Sequence, residues 1–99
     1  MAGPIYKLWM VRPNRAFWQL SSEERQALMA KVGEALRKVG GKTIVMCGSE
    51  WSNEQWPYFG IEELPDIEAV QKLAELHMEI GWSTYREAFS LLGTQYPPE

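Results

Sequence analysis

His77 is the only histidine in this 99-residue sequence, and it is the only side chain whose ordinary pKa lies near neutral pH. It belongs to an apolar stripe at helical spacing, whose other members are Ile67, Val70, Leu73, Ala74 and Ile80. That spacing predicts an imidazole that faces the protein interior rather than water. A histidine in apolar surroundings can act as a general acid or base, but a core histidine held by one hydrogen bond fits the same pattern.

Three tyrosines, Tyr6, Tyr58 and Tyr85, offer hydroxyl groups that can donate a hydrogen bond to a developing oxyanion. The alternative is that each hydroxyl is anchored on a nearby backbone group, as is common for buried tyrosines. We take Tyr85 and Tyr6, together with His77, as the candidate catalytic residues.

Five tryptophans are many for a chain of this length. Trp9 and Trp56 lie in predicted strands, where packing in the core or at an interface accounts for them. Trp18, Trp51 and Trp82 lie in predicted loops, where they can wall the mouth of a pocket for a planar ligand.

Arg86 adds a guanidinium group that can bind a ligand carboxylate, although such residues often form only surface ion pairs. We therefore take Trp18, Trp51, Trp82 and Arg86 as the candidate substrate-binding residues. The single cysteine, Cys47, lies in an apolar strand and is expected to be an inert packing residue. With one histidine and one cysteine, no metal site is expected.

The bulk composition excludes several classes of protein. The net charge is −3, and the basic residues are scattered, so no nucleic-acid partner is expected. No apolar run approaches the roughly 20 residues of a membrane helix, and residues 1–4 do not resemble a secretory signal. Together with the lone cysteine, these features predict a cytoplasmic protein.

The elements that position these residues follow from short-range signals. Four strands are predicted, at residues 5–12, 42–49, 56–62 and 85–92, with an edge or a bulge at Pro57. The first helix begins after Ser21, whose partner Glu24 completes a capping box, and a second helix runs from Asp66 to Gly81. Residues 14–20 are predicted to be a loop.

This βαββαβ order predicts a single α+β domain over residues 1–99, of the ferredoxin-like type, with two helices on one face of a four-stranded antiparallel sheet. The strands do not alternate cleanly between apolar and polar residues. In the first strand Leu8 and Met10 point one way, and Trp9 and Val11 point the other. Because two helices cover only one face, we expect the other face to pack against a second copy of the chain, as a homodimer.

The order and the length resemble the dimeric α+β barrel superfamily. Residues 17–25 (FWQLSSEER) are similar to the start of the first helix in darcynin-like proteins of unknown function. Residues 77–89 (HMEIGWSTYREAF) are similar to a segment of the plant polyketide cyclases that make olivetolic acid, in which a histidine at the end of the second helix is a general base ahead of a Tyr-Arg pair. His77 and Tyr85-Arg86 match that arrangement with slightly different spacing.

The superfamily resemblance implies a ligand pocket between sheet and helices, and it includes cofactor-free oxygenases, isomerases, cyclases and haem-binding proteins. The first hypothesis is a cofactor-independent enzyme, of isomerase, cyclase, lyase or oxygenase type, which acts on an apolar or aromatic carbonyl compound by acid–base chemistry. One alternative is a non-catalytic ligand-binding or structural homodimer. Another is a haem-binding protein with His77 as the axial ligand.

Overall fold

The computed structural model describes residues 3–98. It has four strands, β1 (Ile5–Pro13), β2 (Lys42–Gly48), β3 (Tyr58–Leu64) and β4 (Arg86–Gly93). The helices are α1 (Arg15–Gln19), α2 (Ser22–Lys38) and α3 (Ile67–Ile80), followed by a 3₁₀ turn at Trp82–Thr84. The strands form one antiparallel sheet in the order β2-β3-β1-β4. This confirms the ferredoxin-like α+β fold.

The two long helices begin and end where the capping signals predict. The Ser21 side chain accepts a hydrogen bond from the backbone N–H of Glu24 at 3.1 Å, and the Glu24 carboxylate accepts one from the Ser21 N–H at 2.8 Å. Asp66 caps α3 by accepting from the Ala69 N–H at 2.8 Å. Gly81 ends α3 in the left-handed region, with φ of 81°, which glycine adopts at little cost.

Two predicted boundaries are wrong. Residues 14–20 contain α1 rather than only a loop, because the Asn14 side chain caps that helix and Phe17 is buried against Trp82. Strand β3 starts at Tyr58 rather than at residue 56, so Pro57 lies before the strand. The bulge expected at Pro57 is replaced by a pairing irregularity in β2, between Thr43 and Val45.

The stripe on α3 is shifted from the predicted one. Ile67 and Ala74 are exposed, and their places are taken by Ala69, which is buried, and Leu76, which packs on the core.

The helices pack on the sheet through two apolar clusters. The larger one contains Ala35, Leu36, Leu64, Ala69 and Leu73, and the smaller one contains Phe17, Leu28 and Trp82.

The two faces of the sheet differ in the residues that they carry and in whether helices cover them. The face toward the helices carries Lys7, Trp9 and Val11 from β1, which pair with Glu62, Gly60 and Tyr58 of β3. The other face, here called the open face, has no helix over it. Its apolar and aromatic side chains are Tyr6, Leu8, Met10, Val45, Phe59, Ile61, Phe89 and Leu91, and the same face carries Glu63 and the Arg12–Glu87 ion pair.

Side chains on the open face remain in contact with solvent. Val45, Phe89 and Leu91 are 42%, 53% and 59% exposed. Over residues 3–98, no helix combines the length and the apolar character needed to span a bilayer.

Candidate functional site

A cavity of about 780 Å³ lies between the helix-covered face of the sheet and the helices. Its walls are mainly apolar and aromatic, formed by Trp9, Val11, Phe17, Met29, Met46 and Trp82. A volume in this range suits a small organic ligand.

The Trp9 indole lies against Gly60, where a Cβ atom would come within 2.7 Å of the indole Cε2. The absence of a side chain at residue 60 therefore makes room for one wall of the cavity.

Lys7, Glu62, His77 and Arg86 are ionisable side chains that line this cavity, and Arg25 lines it as well. Lys7 and Glu62 are directly opposite each other on β1 and β3, Arg86 begins β4, and His77 lies on the last turn of α3. The Arg86 guanidinium carbon is 5.3 Å from the centre of the Trp82 ring, which is a cation–π geometry. The topology therefore brings together two cations, one carboxyl group and one imidazole.

Burial displaces the pKa values of all four groups. It lowers the pKa of His77 to about 4, and the positive charges of Lys7 and Arg86 contribute to that lowering. Burial also lowers the pKa of Lys7, partly offset by the negative charge of Glu62. It raises the pKa of Glu62 against the opposing effect of Lys7, and it lowers the pKa of Arg86. At neutral pH the imidazole is therefore uncharged.

Three buried polar atoms that belong to residues lining this cavity have no hydrogen-bond partner among residues 3–98. They are the Trp9 Nε1–H, the Arg86 Nε–H and the Glu62 Oε1. An unsatisfied buried polar group costs about 1–3 kcal/mol. Such groups need a partner that residues 3–98 do not supply, and a polar ligand is one group that can act as that partner.

The structure brings together some of the predicted site residues and separates others. His77, Arg86, Trp18 and Trp82 line the cavity. Trp18 is half exposed, and the Arg25 guanidinium carbon lies 5.6 Å from the centre of its ring.

Three other predicted residues lie outside the lining. Tyr85 packs against the small cluster that contains Phe17 and Trp82. Tyr6 belongs to the open face, and Trp51 is 89% exposed.

Lys7, Glu62 and Trp9 are cavity residues that the sequence reasoning did not assign to a site. A signal was present for Lys7, because it is the one charged residue within the apolar run at positions 5–11. Glu62 carried no comparable signal. Its position opposite Lys7 depends on the register between two strands separated by more than 40 residues.

The fold and the cavity define a ferredoxin-like α+β domain with a largely apolar pocket that contains charged groups. Residues 6–99 match the family described as "Family of unknown function (DUF6616)", and the chain belongs to that family. No curated protein matches the sequence.

Several solved structures share the fold. Chlorite dismutase from Candidatus Nitrospira defluvii in complex with imidazole has a TM-score of 0.76 and 12% identity, covering 99% of this chain and 42% of that chain. A heme-binding protein from Thermus thermophilus has a TM-score of 0.73 and 20% identity, covering 94% of this chain and 40% of that chain. The chain thus spans less than half the length of these neighbours. At such identities the likeness establishes the fold alone.

Proposed function

We propose that this chain is a cofactor-independent enzyme that performs acid–base chemistry on a small apolar or aromatic substrate with a carbonyl group. The observation that carries the proposal is the cluster of Lys7, Glu62, His77 and Arg86 inside an otherwise apolar cavity. Charged groups in such a place are costly, and displaced pKa values of this kind cluster at functional sites.

The displaced pKa values assign different roles to the two candidate bases. His77, with a pKa of about 4, is too weakly basic to remove a proton efficiently near neutral pH, so it serves as a neutral hydrogen-bonding group. Glu62, whose pKa is raised by burial, is the candidate base. When Glu62 removes a proton from the carbon next to the carbonyl, the C–H electron pair moves into an enolate, and the carboxylate becomes a carboxylic acid. Lys7 and Arg86 then stabilise the enolate oxygen.

Exchange of α-protons in D₂O tests this proposal without knowledge of the natural substrate. Aryl methyl ketones, 1,3-diketones and arylpyruvates, which are keto acids, are incubated with the protein, and loss of the α-proton signal is followed by NMR. We expect exchange above the buffer rate with the wild type and a loss of about 100-fold or more in Glu62→Gln. Glu63→Gln is the matched control, because Glu63 is the next residue but pairs with Tyr6 on the opposite face.

Two results would contradict the enzymatic proposal. One is exchange at the buffer rate for every ketone, and the other is equal exchange in wild type and Glu62→Gln. Binding of the same ketones without exchange would instead identify a non-catalytic ligand carrier.

A second candidate function, haem binding, has a specific observation in its favour. The low pKa of His77 keeps its imidazole neutral, which is the form that ligates iron, and the residue faces a cavity with aromatic walls. Lys7 and Arg86 can pair with the two propionates of haem. The residues present therefore fit the group, with His77 as the axial ligand. Bound haem would supply redox and small-ligand chemistry at its iron.

Haemin titration distinguishes this function from the first. Haem binding predicts a Soret shift that saturates with wild type and is absent in His77→Ala. Trp51→Phe is the control, because that tryptophan is 89% exposed and lies outside the cavity lining. A Soret shift that is the same in both variants, or absent in the wild type, would exclude His77 as an iron ligand.

We also propose that two copies of the chain associate through their open faces. Phe89 and Leu91, on the edge strand β4, are more than half exposed on the open face. Monomeric proteins rarely leave such an apolar surface in contact with water. Light scattering should report a particle of twice the chain mass. Leu91→Asp should reduce it to one chain, whereas Ile67→Asp, which changes an exposed residue on α3, should not. A wild-type particle of one chain mass would refute the association.

A further inference from the structure

The charges that line the cavity are opposite in sign to the charge of the whole chain. The protein has 13 acidic and 10 basic residues, for a net charge of −3. Among residues 3–98, the cavity lining contains three basic side chains, Lys7, Arg25 and Arg86, and one acidic side chain, Glu62. His77 is neutral at pH 7. The ligand-free cavity is therefore electropositive within an acidic protein, an arrangement that concentrates anions.

The unsatisfied atoms specify the missing partner further. Both the Trp9 Nε1 and the Arg86 Nε carry a hydrogen and can only donate. Each therefore needs an acceptor, and the acceptor best matched to a guanidinium is a carboxylate or another charged oxygen. The Glu62 Oε1 is free to accept from a hydroxyl or amino group on the same ligand.

Arg86 is held in place for such a contact. Its guanidinium stacks on Trp82, which is only 5% exposed, so one face of the cation is covered by an aromatic ring. The Nε–H of the same group is buried and has no hydrogen-bond partner in the described part of the chain. A cation that is positioned before the ligand arrives loses less conformational entropy on binding.

Building on the proposed function, we infer that the ligand carries a negatively charged oxygen group, a carboxylate or its equivalent, on an apolar body. Arg86 and Trp9 donate hydrogen bonds to the charged group, and Lys7 supplies a second positive charge. The apolar body contacts the aromatic and aliphatic walls. In the acid–base reaction proposed above, this makes the substrate a keto acid or a related anion rather than a neutral ketone.

Matched pairs of probes test the charge preference directly. Isothermal titration calorimetry compares 2-naphthoate with 2-naphthamide, 9-anthroate with its carboxamide, and decanoate with decanamide. Within each pair the apolar body is the same and only the charge differs. We expect the carboxylate to bind about tenfold more tightly than the amide, which corresponds to one charge-assisted hydrogen bond.

Two variants locate the source of the preference. Lys7→Met and Arg86→Gln should each reduce the carboxylate-to-amide ratio toward one. Arg12→Gln is the control, because Arg12 pairs with Glu87 away from the cavity. Circular dichroism of each variant shows whether the fold is retained. The carboxylate-to-amide ratio of the wild type tests the charge preference even where a variant does not fold.

The outcomes separate this inference from the proposed function. Equal binding of carboxylates and amides would overturn the charge preference but would still support an apolar ligand pocket. No binding of any probe would overturn both. A carboxylate preference that persists undiminished in Lys7→Met and Arg86→Gln would refute the assignment to these two cations.

Discussion

Protonation of His77 should make the protein lose stability as the pH falls. Its folded-state pKa is about 4, against an ordinary value of 6.5, so the unfolded chain binds a proton at higher pH than the folded chain does. The stability associated with His77 is thus complete above about pH 6.5 and is lost progressively as the pH falls toward 4. Between about pH 7 and pH 5, linkage gives at most about 2 kcal/mol. Because the residue is partly exposed, solvent screening reduces this to about 1 kcal/mol.

Urea unfolding at both pH values, followed by tryptophan fluorescence, measures this loss. His77→Gln retains a polar side chain of similar size but cannot take up the proton, so its stability should fall by about 1 kcal/mol less than that of the wild type. The comparison also removes the contribution of Glu62. The raised pKa of Glu62 affects the free energy of unfolding in the opposite direction. The stability that Glu62 contributes is present at low pH and is lost as the pH rises through its folded-state pKa.

NMR provides a direct check, because the sequence contains one histidine and its imidazole signals cannot be confused with others. We expect a titration midpoint near 4 in the free protein. An added aromatic carboxylate should raise the midpoint, since its negative charge opposes the charges of Lys7 and Arg86. A midpoint near 6 in the free protein, with equal pH dependence of unfolding in wild type and His77→Gln, would refute the reasoning about burial and neighbouring charge.

Three substitutions test the packing that supports the site, each measured by urea unfolding. Gly60→Ala should cost about 1–3 kcal/mol, because the new Cβ would lie 2.7 Å from the Trp9 Cε2 and 2.8 Å from the Val45 backbone oxygen; an unchanged stability would mean that the indole does not lie against residue 60. Ser21→Ala should cost about 1 kcal/mol through loss of the α2 cap, and Ser22→Ala should cost less; equal costs would contradict the capping box. Leu73→Ala, at a position only 1% exposed, should cost about 2–5 kcal/mol, and a cost below 1 kcal/mol would place that side chain outside the core.

The helix ends were predictable because their signals act over a few residues. The Ser21–Glu24 capping box and the cap at Asp66 each depend on contacts three residues apart. Helix α1 was not predictable in the same way. A helix of five residues has little stability of its own, and this one depends on the burial of Phe17 against Trp82, which lies at the other end of the chain.

The site was predictable only in part, for a related reason. The apolar spacing of α3 placed His77 toward the sheet, and the cavity includes it. The same kind of reasoning could not place Glu62 beside Lys7, because strand register is set by pairing between distant segments. Nor could it show that Tyr6, one residue before Lys7, faces away from the cavity, since the pattern does not say which face the helices cover.

The distribution of polarity between the two faces of the sheet connects the site with the proposed assembly. A two-layer α+β protein normally keeps apolar residues under its helices and polar residues on the free face. Here the face beneath the helices carries Lys7, Glu62 and Arg86, and the open face carries residues such as Leu8 and Leu91. Charge under the helices is costly unless a ligand completes its hydrogen bonds, and apolar surface in water is costly unless a partner covers it. A bound anion on one face and a second copy on the other would remove both costs.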